Sequence, residues 1–351
     1  MPAQLTHWLA GKQAAAAAGW EFSPTETVWF NLGCQGPDVF AHNRRTRPLG
    51  IAFARLVHHW GYGLLVRMLA EHLGSSVHCH NPSSFELRAW LLGFMTHAAV
   101  DRALHPYIVS RIPAHSSAAR PASMHAFFER ITDVLMLREL ESLRITDINT
   151  RNLFVPETAP VPPLVQAFTA ALVKAYPRAT DGDPAVPERI NNAFTDSFRF
   201  YTLTSPHTTA FSASPQSLSH FIRLEADGVA LLYPDEPDPS VDWLNLSRDT
   251  WLDPVNGTAR TESLVDLFSA CIPGITAILK LALRVCSGEE SPAALETAIG
   301  NGSLSIAAED GSPVAPAWWS PLPLDAELLR QTRLREQWMS TAVIDQKSVS
   351  G

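Results

Sequence analysis

The sequence lacks paired cysteines. Its four cysteines are scattered over 351 residues without a CxxC pair: Cys34, Cys79, Cys271 and Cys286. Small disulfide-stabilised domains need more closely organised cysteines, so no disulfide framework is predicted. Scattered thiols of this kind are typical of a protein in a reducing cytoplasm.

An excess of positive charge is also lacking. The 27 Lys and Arg residues against 35 Asp and Glu residues give a net charge of -8, so the chain as a whole does not attract nucleic acid or anionic lipid. Any attraction for phosphate must be local, and no stable nucleic-acid complex is expected. The apolar content of 46% is that of a folded globular protein.

No targeting or membrane-spanning segment is recognisable in the sequence. The N-terminal alanine run is short, His7 and Lys12 interrupt it, and no basic segment precedes an apolar core. The most apolar later stretch, 264–286, contains four residues that suit a membrane span poorly, namely Asp266, Pro273, Lys280 and Arg284. We therefore predict a soluble, cytoplasmic protein without a transmembrane segment.

Helical signals dominate, and no run of alternating β-branched residues predicts a sheet. Apolar residues recur at helical spacing through 49–73, and Ser83 followed by Glu86 is a capping-box pattern that opens a helix to about Leu104. Other predicted helices cover 3–17, 124–143, 163–176, 187–201, 217–233, 262–287 and 326–340. The sequence predicts one all-α domain at 1–300 and a less regular extension at 301–351 that ends in a helix.

The most informative stretch is GFMTHAAVDRALHPYI, which places His97, Asp101 and His105 at i, i+4 and i+8 of one helix. Successive members lie about 40° apart around the axis and about 6 Å apart along it, so all three project from one side. Pro106 disfavours helical dihedral angles at His105, which predicts that the helix ends there. This spacing is that of a metal-ligand ladder.

A second helix repeats the pattern with His125, Glu129 and Asp133 in HAFFERITDVL. Either ladder alone also fits ordinary pairs on a helix surface. Both helices, however, are rich in Phe, Met, Leu and Ala, where buried His and carboxylate groups are costly without a partner. Imidazole and carboxylate ligands without thiolates favour zinc in hydrolytic sites. We interpret Asp133 as an acceptor that supports His125 or its neighbours, or as a solvent-facing residue, rather than as a ligand.

Further candidate ligands lie upstream. They are His7, Asp38 in a turn marked by Gly33, Gly36 and Pro37, and the adjacent pair His58 and His59. Residues adjacent on a helix point about 100° apart, so one of the pair is expected to face a metal cluster, and we favour His58.

Weaker patterns have ordinary alternatives. The stretch VHCHNP, with His78, Cys79 and His80, is a polar loop or a further metal site, and Arg44, Arg45 and Arg47 form a solvated loop or contact phosphate. The rings of Trp29, Phe30 and Tyr62 are close enough in sequence to stack on a nucleotide.

The order of these motifs resembles the zinc-dependent phospholipase C family, which is related to the fungal single-strand nucleases. The resemblance starts with GCQGPDVF, the two ladders continue it, and WLDPVNGTARTESLVDLF and IGNGSLSI extend it, so that it covers residues 1 to about 305. It implies two or three zinc ions. The first would be held by Asp38, His58, His97 and Asp101, the second by His105, His125 and Glu129, and the third by His7 with Asp101 as a bridge.

By this resemblance we expect a zinc-dependent phosphoesterase that hydrolyses a small phosphate ester or a phospholipid through a metal-activated hydroxide. Asp38 would orient the attacking water or accept its proton. The alternatives are a nuclease or a phosphomonoesterase with the same ligands, and a non-catalytic protein whose zinc site is closed.

In secreted members of the family that the sequence resembles, an α-amino group exposed by leader cleavage binds the third zinc together with a histidine, and here His7 would be that histidine. Proline follows the initiator methionine, whose removal would free the Pro2 amine. An α-amino group loses its proton near pH 8 even without metal, so the Pro2 amine would be a nitrogen ligand. The other interpretation is a frayed N-terminus with His7 on the surface.

Overall fold

The computed structural model describes residues 4–74, 82–157, 162–206, 226–234 and 236–349. It is 64% helix and 2% strand, which confirms the all-α prediction. The helices are α1 Gln4–Ala18, α2 Pro24–Cys34, α3 Asp38–Ala41, α4 Ile51–His59, α5 Tyr62–Gly74, α6 Pro82–Arg111, α7 Pro121–Glu141, α8 Thr150–Phe154, α9 Pro162–Ala175, α10 Pro177–Thr180, α11 Val186–Leu203, α12 Ala226–Val229, α13 Leu264–Cys286, α14 Pro292–Ile299 and α15 Leu324–Val349. Two short strands, β1 Trp251–Leu252 and β2 Ala259–Arg260, pair antiparallel.

Helix α6 is the centre of the fold, and α1, α2, α5, α7 and α13 pack against it. Helix α2 approaches it most closely, because glycines face each other at the crossing. A Cβ on Gly33 would lie 2.0 Å from the Trp90 carbonyl oxygen, and a Cβ on Gly93 would lie 2.0 Å from that of Phe30. No larger residue fits either position, so the two glycines fix how closely the backbones of α2 and α6 pack.

Two of the predicted helix boundaries are wrong. The predicted helix at 49–73 is two helices, because Trp60 is extended and Gly61 has a φ of 80°, which breaks α4 from α5. Helix α6 starts at Pro82 and continues through Pro106 to Arg111, although Pro106 was expected to end it near His105. Proline removes one backbone donor from a helix. The packing of α6 against its neighbours along its whole length offsets that loss.

Most of the predicted helix at 217–233 lies outside the described residues; the described part contains α12. The sequence did not predict α2, although Ser23 and Glu26 form a reciprocal capping box at its start. Residues 301–323 contain no helix, and they pack on the helical core. The Leu304 amide donates to the His58 carbonyl at 2.8 Å, and the Ser320 amide donates to that of Ser110 at 2.8 Å.

Helix α13 is the only helix among the described residues that is long and apolar enough to cross a membrane, judged by length and composition alone. A capping box between Ser263 and Asp266 starts it, and it packs along α6 and α1. A core helix of a soluble protein passes the same test, so this is weak evidence for a span.

Candidate metal centre

Eight predicted ligands lie together where five helices meet. They are His7 on α1, Asp38 at the start of α3, His58 at the end of α4, His97, Asp101 and His105 on α6, and His125 and Glu129 on α7. Six of the eight are buried, whereas the side chains of His58 and His125 are 19% and 23% exposed. The cluster is therefore enclosed by helices and reaches solvent on one side.

Asp101 lies in the middle of the cluster. Its Oδ1 is 3.1 Å from His7 Nε2, and its Oδ2 is 3.1 Å from His97 Nε2. The same carboxylate is 3.6 Å from His58 Nε2 and 3.7 Å from His105 Nδ1. One carboxylate thus contacts four imidazoles, which is the position that a bridging ligand needs.

Each of the other two carboxylates contacts two of the histidines. Asp38 Oδ1 is 3.1 Å from His58 Nε2, and Glu129 Oε1 is 2.9 Å from His125 Nε2 and 3.5 Å from His105 Nε2. Three sets of residues each have ligand atoms that lie within 4.8 Å of one another. The sets are His7, Asp38 and His97; His58, His97 and Asp101; and His105, His125 and Glu129.

Backbone carbonyl groups hold three of the imidazole rings from behind. The Nδ1 atoms of His58, His97 and His105 lie 2.7 Å from the Ala54 oxygen, 3.2 Å from the Cys34 oxygen and 3.2 Å from the Leu304 oxygen, respectively. A proton on Nδ1 donated to the carbonyl leaves Nε2 as the free acceptor nitrogen, and this arrangement commonly orients metal-binding histidines. The three rings are thereby held with Nε2 towards the carboxylates.

The absence of a side chain at Gly36 leaves the space that the His97 ring occupies. A Cβ at this position would lie 2.3 Å from the ring, and the φ of 55° is itself one that glycine tolerates best. The glycine turn between α2 and α3 therefore serves two purposes. It makes room for His97, and it brings Asp38 to the cluster.

Asp133 lies elsewhere than predicted. Its carboxylate accepts hydrogen bonds from the amides of Leu5 and Thr6 at 3.0 and 2.7 Å, from the Thr6 hydroxyl at 2.9 Å and from the Tyr233 hydroxyl at 3.3 Å. The interpretation as a solvent-facing residue is wrong, because Asp133 is fully buried, and its hydrogen bonds go to the first turn of α1 and to Tyr233 and not to His125. It fixes the backbone immediately before His7.

Burial and charge act against each other in the cluster. Burial raises the pKa of Asp101, but the charges on His97 and His105 outweigh it and hold that pKa well below its ordinary value. Burial likewise lowers the pKa of His105, but Asp101 and Glu129 raise it to about 9. Burial also lowers the pKa of His7. Without a metal, protons therefore occupy part of the cluster at neutral pH.

The residues present fit a metal ion. Asp38 Oδ2, His97 Nε2 and Asp101 Oδ2 are buried and have no hydrogen-bond partner within the described residues. His97 Nε2 and Asp101 Oδ2 are 3.1 Å apart, but they are not aligned as a hydrogen bond. Buried polar atoms without a partner are costly. A cation between them would remove that cost, so these buried groups can hold a metal ion.

Several other predicted residues lie outside the cluster. Of the adjacent pair, His58 faces the carboxylates, and His59 is in none of the candidate ligand sets. The stacking interpretation of three aromatic residues is wrong because they are core residues, with exposures of 2% for Trp29, 2% for Phe30 and 0% for Tyr62. Pro2 and the stretch from His78 to His80 lie outside the described residues.

A cavity of about 230 Å³ opens beside the cluster. Its lining combines four of the predicted ligands with four residues that the sequence analysis missed: Asp38, His58, His105 and His125, then Ala41, Ala54, Arg55 and Ser305. Arg55 could have been found from helical spacing, since it precedes His58 by three residues and lies on the same side of α4. The predicted loop arginines Arg44, Arg45 and Arg47 are not in this lining and are exposed.

No protein-family model, no curated protein and no solved structure matches this chain.

Proposed function

We propose that the protein is a zinc-dependent phosphoesterase that hydrolyses a small phosphate ester at the eight-residue cluster. The observation that carries the proposal is the cavity, since Asp38, His58, His105 and His125 line it and come from all three candidate ligand sets. Nitrogen and oxygen donors without thiolates favour zinc in a hydrolytic site. Bound zinc would supply neutralisation of phosphoryl charge and activation of water.

Asp38 is the proposed catalytic carboxylate. Burial opposes its ionisation, but the neighbouring charges of His97 and His58 lower its pKa, so that it is a carboxylate at neutral pH. Oδ1 is held by His58 at 3.1 Å, whereas Oδ2 has no hydrogen-bond partner within the described residues. A carboxylate fixed at one oxygen and lining the cavity can orient an attacking water or accept its proton.

Backbone carbonyl groups fix the orientation of two other ligands that line the cavity. Leu304 holds the His105 ring from the far side, and Ala54 holds that of His58, so both rings face the cavity in fixed orientations. The aromatic residues Trp29 and Phe30 are buried, and the net charge is -8, so neither feature favours the nuclease alternative.

The test begins with elemental analysis of protein purified without added metal. The sample is then assayed with p-nitrophenyl phosphate, bis(p-nitrophenyl) phosphate and phosphatidylcholine, before and after chelation. We expect bound zinc and hydrolysis of at least one ester that chelation abolishes and zinc restores. Asp38→Asn should reduce the rate by at least about 100-fold. Metal-loaded protein that hydrolyses none of the three esters would contradict the proposal.

A further inference from the structure

Arg55 brings a permanent positive charge to the cavity. It is exposed on α4, in the turn that precedes His58, and the two residues line the cavity together. A step of three residues turns the helix by about 300°, so the two side chains are about 60° apart around the axis. The guanidinium stays protonated throughout the physiological pH range.

This charge is not used in an ion pair. No carboxylate of the described part of the chain pairs with Arg55, whereas Arg130, for example, lies 3.9 Å from Asp133. A fork of N–H donors at the rim of a cavity is suited to bind the oxygens of a phosphate or a carboxylate. Arg55 is therefore available for a ligand.

The charge of the whole site favours a dianion. Three carboxylates, Asp38, Asp101 and Glu129, belong to the candidate ligand sets. Two divalent ions against three carboxylates leave one positive charge, and Arg55 brings the surplus to two; a third ion would increase it. A phosphate monoester has a second pKa near 6 and carries close to two negative charges at pH 7, whereas a diester carries one.

The lining offers little to a cationic head group. Quaternary ammonium groups are bound in cages of Trp, Tyr and Phe, and none of these residues belongs to the described lining. The carboxylate in this lining, Asp38, belongs to a candidate ligand set, so a bound metal ion would neutralise its charge. The volume of about 230 Å³ is also small beside the ~300–1,000 Å³ of drug-sized ligand pockets.

We propose that Arg55 binds the non-bridging oxygens of a doubly charged phosphate group, so that the site selects phosphate monoesters over diesters that carry a cationic head group. This inference rests on the proposed function for the identity of the reaction. Arg55 binds substrate in this inference, and each metal ligand keeps the role given to it above.

The first experiment measures binding without turnover. Inorganic phosphate is titrated calorimetrically into metal-loaded wild type, Arg55→Ala, Arg55→Lys and the control Arg151→Ala, which removes the same charge from an exposed site on α8. We expect Arg55→Ala to weaken phosphate binding about tenfold, the lower end for hydrogen bonds to charged groups because the side chain is exposed. Arg55→Lys should recover part of the affinity, since it keeps the charge and loses the fork. Arg151→Ala should bind as wild type does, and all four proteins should contain equal metal.

The second experiment compares three esters: p-nitrophenyl phosphate, bis(p-nitrophenyl) phosphate and p-nitrophenyl phosphorylcholine. Wild type should prefer the monoester, and Arg55→Ala should lower kcat/KM for it about tenfold more than for either diester. The absence of any hydrolysis would refute the proposed function, and Arg55 would then be judged by phosphate affinity alone. Equal phosphate affinity in wild type and Arg55→Ala, no phosphate binding by wild type, or a preference for the phosphorylcholine ester would overturn the inference.

Discussion

Replacing Asp101 by asparagine tests the centre of the cluster, because the substitution keeps the volume and removes the charge. Asp101 contacts His7 and His97 at 3.1 Å each, and burial leaves no water to replace it. Of the two contacts, only that with His7 is counted as a hydrogen bond to a charged group, which contributes about 1.5–3 kcal/mol. For a chain of 351 residues its loss corresponds to a decrease of roughly 2–4 °C in melting temperature.

The assay combines elemental analysis with thermal unfolding. We expect Asp101→Asn to lose at least one metal ion per chain, because every described candidate set contains Asp101 or a residue in contact with it. The difference in melting temperature should shrink after chelation, since the variant has less metal to lose.

A matched control is Asp196→Asn. Asp196 on α11 is 6% exposed and accepts hydrogen bonds from the Asn43 amide group at 2.8 Å and from the Thr46 backbone amide at 3.0 Å, and it belongs to none of the candidate ligand sets. The Asp196→Asn variant should be less stable than wild type and should keep its metal. A wild-type metal content in Asp101→Asn, or a metal loss of the same size in Asp196→Asn, would refute the assignment of Asp101 as the shared ligand.

Three further predictions follow from the surroundings of the cluster. Asp133→Ala should lower the free energy of unfolding by about 2–3 kcal/mol, because two amides at the start of α1 are left without their acceptor, and chemical denaturation that detects no change would contradict this. Arg102→Met should weaken metal binding about 10-fold or more in chelator competition. Arg102 donates to the carbonyl groups of Gly302 and Ser303 at 2.8 and 3.1 Å, and it thereby holds the segment whose Leu304 oxygen orients His105. An unchanged metal affinity would show that this segment does not act on the ligand. Metal binding at pH 7 should release at least one proton per chain, because the pKa of His105 is raised to about 9 in the metal-free protein and a histidine ligand must be neutral. The release should decline as pH rises through 9. Calorimetry in buffers of different ionisation enthalpy measures the release, and its absence at pH 7 would contradict the prediction.

The cluster was largely predictable because helical periodicity acts locally. Spacing of four residues on α6 and α7 is enough to align His97 with Asp101 and His125 with Glu129, whatever the rest of the fold does. Apolar periodicity and capping patterns likewise predicted most of the long helices.

The parts that could not be predicted depend on contacts between distant residues. The carbonyl group of Leu304 lies 199 residues from His105, and the amides that Asp133 binds lie more than 120 residues away, so no local pattern indicates either contact. Pro106 misled for the same reason, since its local preference was outweighed by the packing of α6. Arg55 was overlooked although its spacing from His58 was visible.

The geometry of the second ligand set bears on the choice between an enzyme and a closed zinc-binding protein. A structural zinc site is enclosed by four protein ligands, whereas a catalytic site has three and keeps one position open. The set of His105, His125 and Glu129 provides three residues, and both of its histidines line the cavity. The rest of the described lining consists of Asp38 and His58, which belong to the other candidate sets, and of Ala41, Ala54, Arg55 and Ser305, none of which is a usual zinc ligand. A three-residue set beside a cavity that carries a positive charge suits an anionic substrate, and for this reason we propose an enzyme and not a closed zinc-binding protein.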